Sequence, residues 1–385
     1  MKACLLALLA LTTLLCGGET PWWPAATESA LNVAGGNRAE LTVALTKVPA
    51  EQRDAMQFLI ENMPPQDLKS LKADFLLKHV DQSCQAMAEA PWAKQVPRDI
   101  FLNDVLPYAS LNEARDNGRP RLRGIALPLV KDCRTPGAAA QELNRKLFGI
   151  VKVKYSTQRK KPDQSALESM ESGLATCSGL SILLVDACRA VGIPARIAGT
   201  PMWTNMRGNH TWVEVWDGDW QFAGAAEPDA NGLNCGWFKG DAAAADDSKP
   251  EHRIYASSFK KTGLAFPLVW NRWIDWVPAV NVTARYTKAA PKPAPDKVRV
   301  LVRVLDKPDG RRLAAKVTVT DAADASVTLN GTSSSDTADL NNILPFELQP
   351  GHSYHFVVEN GDTTVKSTIS VSAEAEQIMT FTIAP

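Results

Sequence analysis

The stretch Thr176-Cys177-Ser178-Gly179-Leu180, continuing to Gly192-Ile193-Pro194, decides how this chain is read. Leu180, Leu183, Leu184, Ala187, Ala190 and Val191 recur at three- and four-residue spacing, so one face of a helix is buried. Thr176 suits the N-cap position, and Gly192 followed by Pro194 supplies the stop. Cys177 therefore belongs in the first turn, where free N–H groups and the positive end of the helix dipole favour a thiolate. Cys188, deep in the same helix, reads as a small core residue.

A nucleophilic thiol needs a base. The candidate is His210, in Gly208-Asn209-His210-Thr211-Trp212-Val213-Glu214-Val215-Trp216, which alternates as a strand does. His210, Trp212, Glu214 and Trp216 share one face, and Val213 and Val215 share the other. Asp217-Gly218 reads as a two-residue hairpin turn, with Asp219-Trp220-Gln221-Phe222 returning. Glu214 lies too far along the strand to orient the imidazole, at ~13 Å for four residues. With Trp216 opposite Asp219, His210 falls opposite Ala225, and Glu227 is its diagonal neighbour on the same face. Glu227 is thus the first choice for the third group and Asp229 the second, an order that a bulge near Gly224 would reverse.

These elements together resemble the transglutaminase-like superfamily over about residues 143–238. The resemblance rests on a Cys opening a helix that ends in Gly-Ile-Pro-Ala-Arg (192–196), a His-x-Trp-x-Glu-Val strand, and a Trp strand running into an acidic-Pro pair. It implies an α+β fold with a papain/transglutaminase-like core, the Cys helix packed on an antiparallel sheet. It further implies Cys177 as nucleophile, His210 as general base and a downstream carboxylate as orienter. Members commonly carry Asp four residues after the Trp, whereas this chain has Gly224 there and its acids later, at Glu227 and Asp229.

The expected chemistry is thiolate attack on an amide carbonyl of a peptide or protein, releasing an amine, with water or an amine completing the transfer. The Cys177 N–H is the natural oxyanion donor, and the indoles of Trp203 and Trp212 are further candidates for contact with substrate or oxyanion. The alternative is an inactive scaffold or binding module that keeps the residues without the chemistry.

Outward from this core, Lys2 and the apolar run to Leu15, ending Cys16-Gly17-Gly18, read as a secretory signal over 1–18, with Cys16 a possible lipid anchor. The expected location is secreted or periplasmic. Five Cys then remain, Cys84, Cys133, Cys177, Cys188 and Cys235, of which four could form two bridges. Residues 40–140 carry helical periodicity, as in Met56, Leu59, Ile60 and Leu68, Leu71, Phe75, Leu76, Val80. The catalytic unit is expected at 141–285.

All 11 Trp lie at or before Trp276. Beyond it a Pro/Ala/Lys linker is expected at 286–297 and a small β-sandwich, resembling carboxypeptidase-regulatory or immunoglobulin-like modules, at 298–385. In that tail Val298, Val300, Val302 and Val304 alternate, and Asn330-Gly331 and Asn360-Gly361 signal turns. His352 and His355 lack a third metal ligand nearby. Lys+Arg and Asp+Glu are both 42, which argues against a nucleic-acid partner. There is no Gly-rich phosphate loop and no paired zinc-ligand spacing, so neither a cofactor nor a metal is expected.

Overall fold

The computed structural model describes residues 21–288 and 296–383. The signal expected at 1–18 and most of the expected linker lie outside these residues.

Helices dominate the first half. Ala25–Ala34, Arg38–Lys47, Arg53–Asn62, Pro65–Leu68, Ala73–Glu89 and Arg98–Asp104 follow one another. Leu31, Leu45, Met56, Leu59, Ile60, Leu76 and Val80 are wholly buried in one apolar cluster. Pro64-Pro65 breaks the pattern between two helices, because proline cannot donate to the helical ladder. The helical layer begins before residue 40, with Ala25–Ala34 packed on its successors.

The centre is a six-stranded antiparallel sheet. Its strands run in the order Trp220–Ala223, His210–Trp216, Ala195–Thr200, Tyr255–Ser257, Pro278–Asn281, Leu264–Ala265. The helix Cys177–Ala190 covers one face, where Leu183, Leu184 and Ala187 share a cluster with Ile197, Val213 and Val215. The helix Pro136–Val151 contributes Ala140, Leu143 and Leu147 to that cluster, so it belongs with the sheet and crosses the expected boundary at 140. Gly192 ends the Cys177 helix at φ +76°, where a Cβ would meet Ala86 O at 2.6 Å. On the opposite face Trp203, Trp212, Phe222, Phe238 and Tyr286 form an aromatic layer.

Within the sheet, the hairpin after Trp216 differs from its sequence reading by one residue. Trp216 pairs with Trp220, so Asp217-Gly218-Asp219 is a three-residue turn with Gly218 at φ +82°. The ladder ends at Val213 opposite Ala223, and His210 is paired only on its other side, with Thr200. Tyr286 also departs from expectation. Instead of starting a linker, it is buried in the helix Thr283–Thr287, where its hydroxyl donates to Glu214 Oε1 at 2.8 Å. Tyr286 thus anchors this helix to the aromatic layer.

The C-terminal part consists of two sheets, Leu344–Leu348, Val298–Leu305, Glu376–Thr382 and Thr328–Thr332, Lys316–Asp321, Ser353–Asn360, Thr363–Ser370. Val298, Val300, Val302 and Val304 share one apolar cluster with Val317, Val319, Phe356 and Val358 across the two sheets. The hairpin near 360 turns through Gly361, with Asn360 paired to Thr363. Asn330-Gly331 is not a turn: both residues sit inside a strand, paired with Thr318 and Val317.

Candidate active site

The Cys177 helix begins as its sequence suggests, with one change. Thr176 occupies the N-cap position, but its side chain caps nothing. Its Oγ1 instead accepts from Arg159 Nε at 3.0 Å. The first helical bond is Leu180 N–H to Thr176 O at 2.9 Å, so the N–H groups of Cys177, Ser178 and Gly179 precede the ladder. Those donors, together with the dipole, suit an anion at the thiol. Ser178 Oγ lies 3.1 Å from Thr211 Oγ1, which ties the helix start to the start of the His210 strand.

The thiol, the imidazole and a carboxylate converge there. One donor atom each from Cys177, His210 and Asp339 lie within 4.8 Å of one another. Asp339 Oδ2 is 3.5 Å from His210 Nδ1, and both side chains are almost wholly buried. That is ion-pair distance rather than a tight hydrogen bond. Burial would lower the pKa of His210, but Asp339 and the Cys177 sulfur overcome that and raise it to about 10. Asp339 is itself held low despite burial, by the facing imidazolium. The imidazole is walled by Trp237 and Phe238, with ring centroids at 4.7 and 5.0 Å, a surround that favours the cationic ring.

Asp339 arrives from the C-terminal part, in the loop between Thr328–Thr332 and Leu344–Leu348. Buried Arg312 organises that loop by donating to the carbonyls of Ala338, Asp339 and Asn342. Asn341 N–H donates to Asp339 Oδ1 at 2.8 Å and fixes the carboxylate. The loop is also stitched to the Cys–His unit. Leu340 N–H donates to Tyr155 Oη at 3.2 Å, Asn341 Nδ2 to Asn209 O at 3.1 Å, and Arg207 Nη1 to Asn341 O at 2.8 Å. Beside it, Arg207 and Arg299 both pair with buried Asp241, and both reach Glu376.

Glu227 and Asp229 therefore do not take the place at Nδ1. A tight turn brings Gly224 opposite Glu227, with Ala226 at φ +64°, so the return strand never runs alongside His210. Glu227 lines the same small cavity as Cys177, His210 and Asp339, but its Oε2 accepts from Trp237 Nε1 at 2.7 Å. Desolvation raises its pKa against the pull of His210. Asp229 accepts from the backbone and side chain of Asn231 and does not line that cavity. A Cβ at Gly224 would stand 2.9 Å from Glu227 Oε2, so the Glu227 side chain crowds that position.

Trp203 and Trp212 lie in the aromatic layer beneath the imidazole, stacked on each other at 6.0 Å and wholly buried. The Trp212 indole donates to Tyr286 Oη at 2.8 Å. Neither residue lines the cavities at Cys177. Glu214 is structural, bound by Arg196, Arg285 and Tyr286. Asn144 is a residue the sequence did not single out. It bridges Gly224 O and Ala226 N–H, at 2.8 Å each, and so holds the turn that places Glu227. All five described cysteines are free, so the bridges considered among Cys84, Cys133, Cys188 and Cys235 are not formed. The Cys177, His210 and Asp339 donor atoms could also hold a soft divalent cation, which would occupy the nucleophile.

Residues 123–242 match the family model described as the transglutaminase-like superfamily. No curated protein matches the chain. Among solved structures it is similar to a protein assigned as a cysteine protease from Cytophaga hutchinsonii, at 18% identity and a TM-score of 0.27, over 46% of this chain and 62% of that one. It is also similar to red sea bream transglutaminase, at 10% identity and a TM-score of 0.33, over 74% of this chain and 66% of that one. The chain thus spans less than two thirds of the length of either relative.

Proposed function

From a chain that carries a transglutaminase-like domain at 123–242, we propose a cysteine-dependent acyl-transfer enzyme acting on amide bonds of peptides or proteins. The observation that carries this reading is the convergence of Cys177, His210 and Asp339 at the start of a helix.

In the first half-reaction the Cys177 thiolate attacks the amide carbonyl, and the oxyanion is received by N–H groups of the helix start. The C–N bond breaks, the amine leaves with the proton of the His210 imidazolium, and a thioester remains on Sγ. In the second half-reaction, water or an amine attacks the thioester. His210 takes the proton of the attacking group, and an acid or a new amide departs as the sulfur is released. Asp339 holds the imidazole in orientation and stabilises its charged form. The export signal read at 1–18 would place this activity outside the cytoplasm.

The test is incubation of the full chain with casein, with and without a fluorescent primary amine, following new peptide amino groups, ammonia release and amine incorporation. Wild type should turn over in at least one readout. Cys177→Ala should lose turnover while keeping its circular dichroism spectrum, and turnover retained in that variant would sink the proposal. Amine incorporation against ammonia release alone separates transamidation from hydrolysis.

A further inference from the structure

A cavity of about 230 Å³ opens beside the thiol on the side of Thr176, lined by Cys177, Arg159, Thr157, Asn209, Trp270 and Asn341 among others. Arg159 is held there by oxygens that carry no charge. Its Nε donates to Thr176 Oγ1 and its Nη1 to Thr157 O, at 3.0 Å each. Among the described residues no acid pairs with it. The acid that borders this cavity, Asp339, faces His210.

The surrounding sequence repeats the imbalance. A chain with no net charge has seven basic residues and no acid between 143 and 162: Arg145, Lys146, Lys152, Lys154, Arg159, Lys160 and Lys161. Arg145 and Lys146 both pair with Glu142, and Lys161 pairs with Glu168. Lys152, Lys154 and Lys160 are exposed, as an ordinary solvated face would be. Arg159 is the member of the run that borders the cavity, with its guanidinium fixed next to the residue that precedes the nucleophile. A planar cation with donors to spare, positioned in advance, is the usual receptor for a carboxylate.

We propose that Arg159 forms a carboxylate-binding subsite on the Thr176 side of the thiol, so that the preferred substrates are acidic peptides with a free carboxylate near the scissile amide. This rests on Cys177 being the nucleophile.

Paired alkylation of the full chain tests both. Iodoacetate and iodoacetamide each lose iodide to the Cys177 sulfur, and they differ in carrying a carboxylate or a neutral amide. The label on Cys177 is followed by mass spectrometry. The iodoacetate-to-iodoacetamide rate ratio should fall ~10-fold in Arg159→Gln, be largely kept in Arg159→Lys, and in wild type decline as salt rises. The salt series needs no variant, so it stands if Arg159→Gln folds poorly. A ratio indifferent to both Arg159 and salt removes the subsite while leaving the nucleophile intact. An equal fall in both rates would mean that Arg159 acts on the thiol itself, which also overturns the subsite. A Cys177 inert to both reagents sinks the acyl-transfer reading instead.

Discussion

The Cys177 helix with the His210 strand, and the loop carrying Asp339, supply one site by opposite means. The first is a local construction. Helical spacing, a stop at Gly192 and strict alternation from His210 to Trp216 put thiol and imidazole at adjoining ends of packed elements. The loop at 334–342 has no such periodicity. It is shaped by Arg312 gathering its carbonyls, and it reaches His210 only because the C-terminal sheets dock on the part that carries Cys177 and His210. The lesson is that thiol and imidazole can be written in one segment of pattern, whereas the carboxylate that faces the imidazole can come from anywhere the fold brings close.

The sharpest attempt to break this contrast is Asp339→Asn. Turnover should fall by on the order of 10²–10³-fold, because the imidazolium loses its counter-charge and its orienter. The pH profile gives the second readout. His210 stands at about 10 because Asp339 and Cys177 outweigh burial, so activity that needs the imidazolium should decline through about 10 in wild type. In Asp339→Asn burial is opposed by Cys177 alone, and that alkaline limb should move to lower pH. A limb that stays in place would show that Asp339 does not govern the imidazole.

Stability must follow the same linkage. A folded pKa above the ordinary 6.5 means that the His210 contribution is complete below about 6.5 and is lost as pH rises towards 10. Urea midpoints measured across that window should decline in wild type and stay flatter in Asp339→Asn.

A smaller effect is expected from loosening the docking. Arg207→Met leaves Asp241 paired with Arg299 but removes the bonds to Glu376 and Asn341 O. Activity should drop ~10-fold with limited loss of fold, since Arg299 still faces both Asp241 and Glu376 and no buried charge is left uncompensated. Limited proteolysis should then cut sooner between the two parts. Unchanged kcat and unchanged proteolysis would mean that the loop is held by other contacts.

Smaller again, Asn144→Ala strips both bonds from the Gly224–Ala226 turn and should cost ~1–3 kcal/mol of stability, read from chemical denaturation. Its kcat should change less than that of Asp339→Asn, because the turn carries Glu227 rather than the group at Nδ1. At the bottom of the series, Asp229→Ala should leave kcat/KM within about twofold, as surface changes usually do. A large loss there would return the acid to the segment where the sequence placed it.

Strand arithmetic points to Glu227 and Asp229, and the reason that Asp339 instead lies at His210 Nδ1 is specific. The turn after Trp216 holds three residues rather than two, and Gly224 curls the chain back through Ala226 instead of extending it beside His210. One residue of register decides which side chain faces a neighbour. Trp203 and Trp212 mislead in another way. Alternation correctly assigned Trp212 to the His210 face, but that face is covered by Phe238 and Tyr286, so both indoles are core rather than groove.

The amino-acid pattern by itself determined that a cysteine opens a buried helix, that a histidine lies at the start of a half-aromatic strand, and that a separate β region follows. These are consequences of periodicity, and periodicity is local: each residue's neighbours along the chain are enough to read it. Only the tertiary structure decided that Asp339 faces His210, that Arg159 borders the cavity beside Cys177, and that Glu227 serves the Trp237 indole. Those outcomes depend on long-range docking and on a single residue of turn length, which no local period encodes.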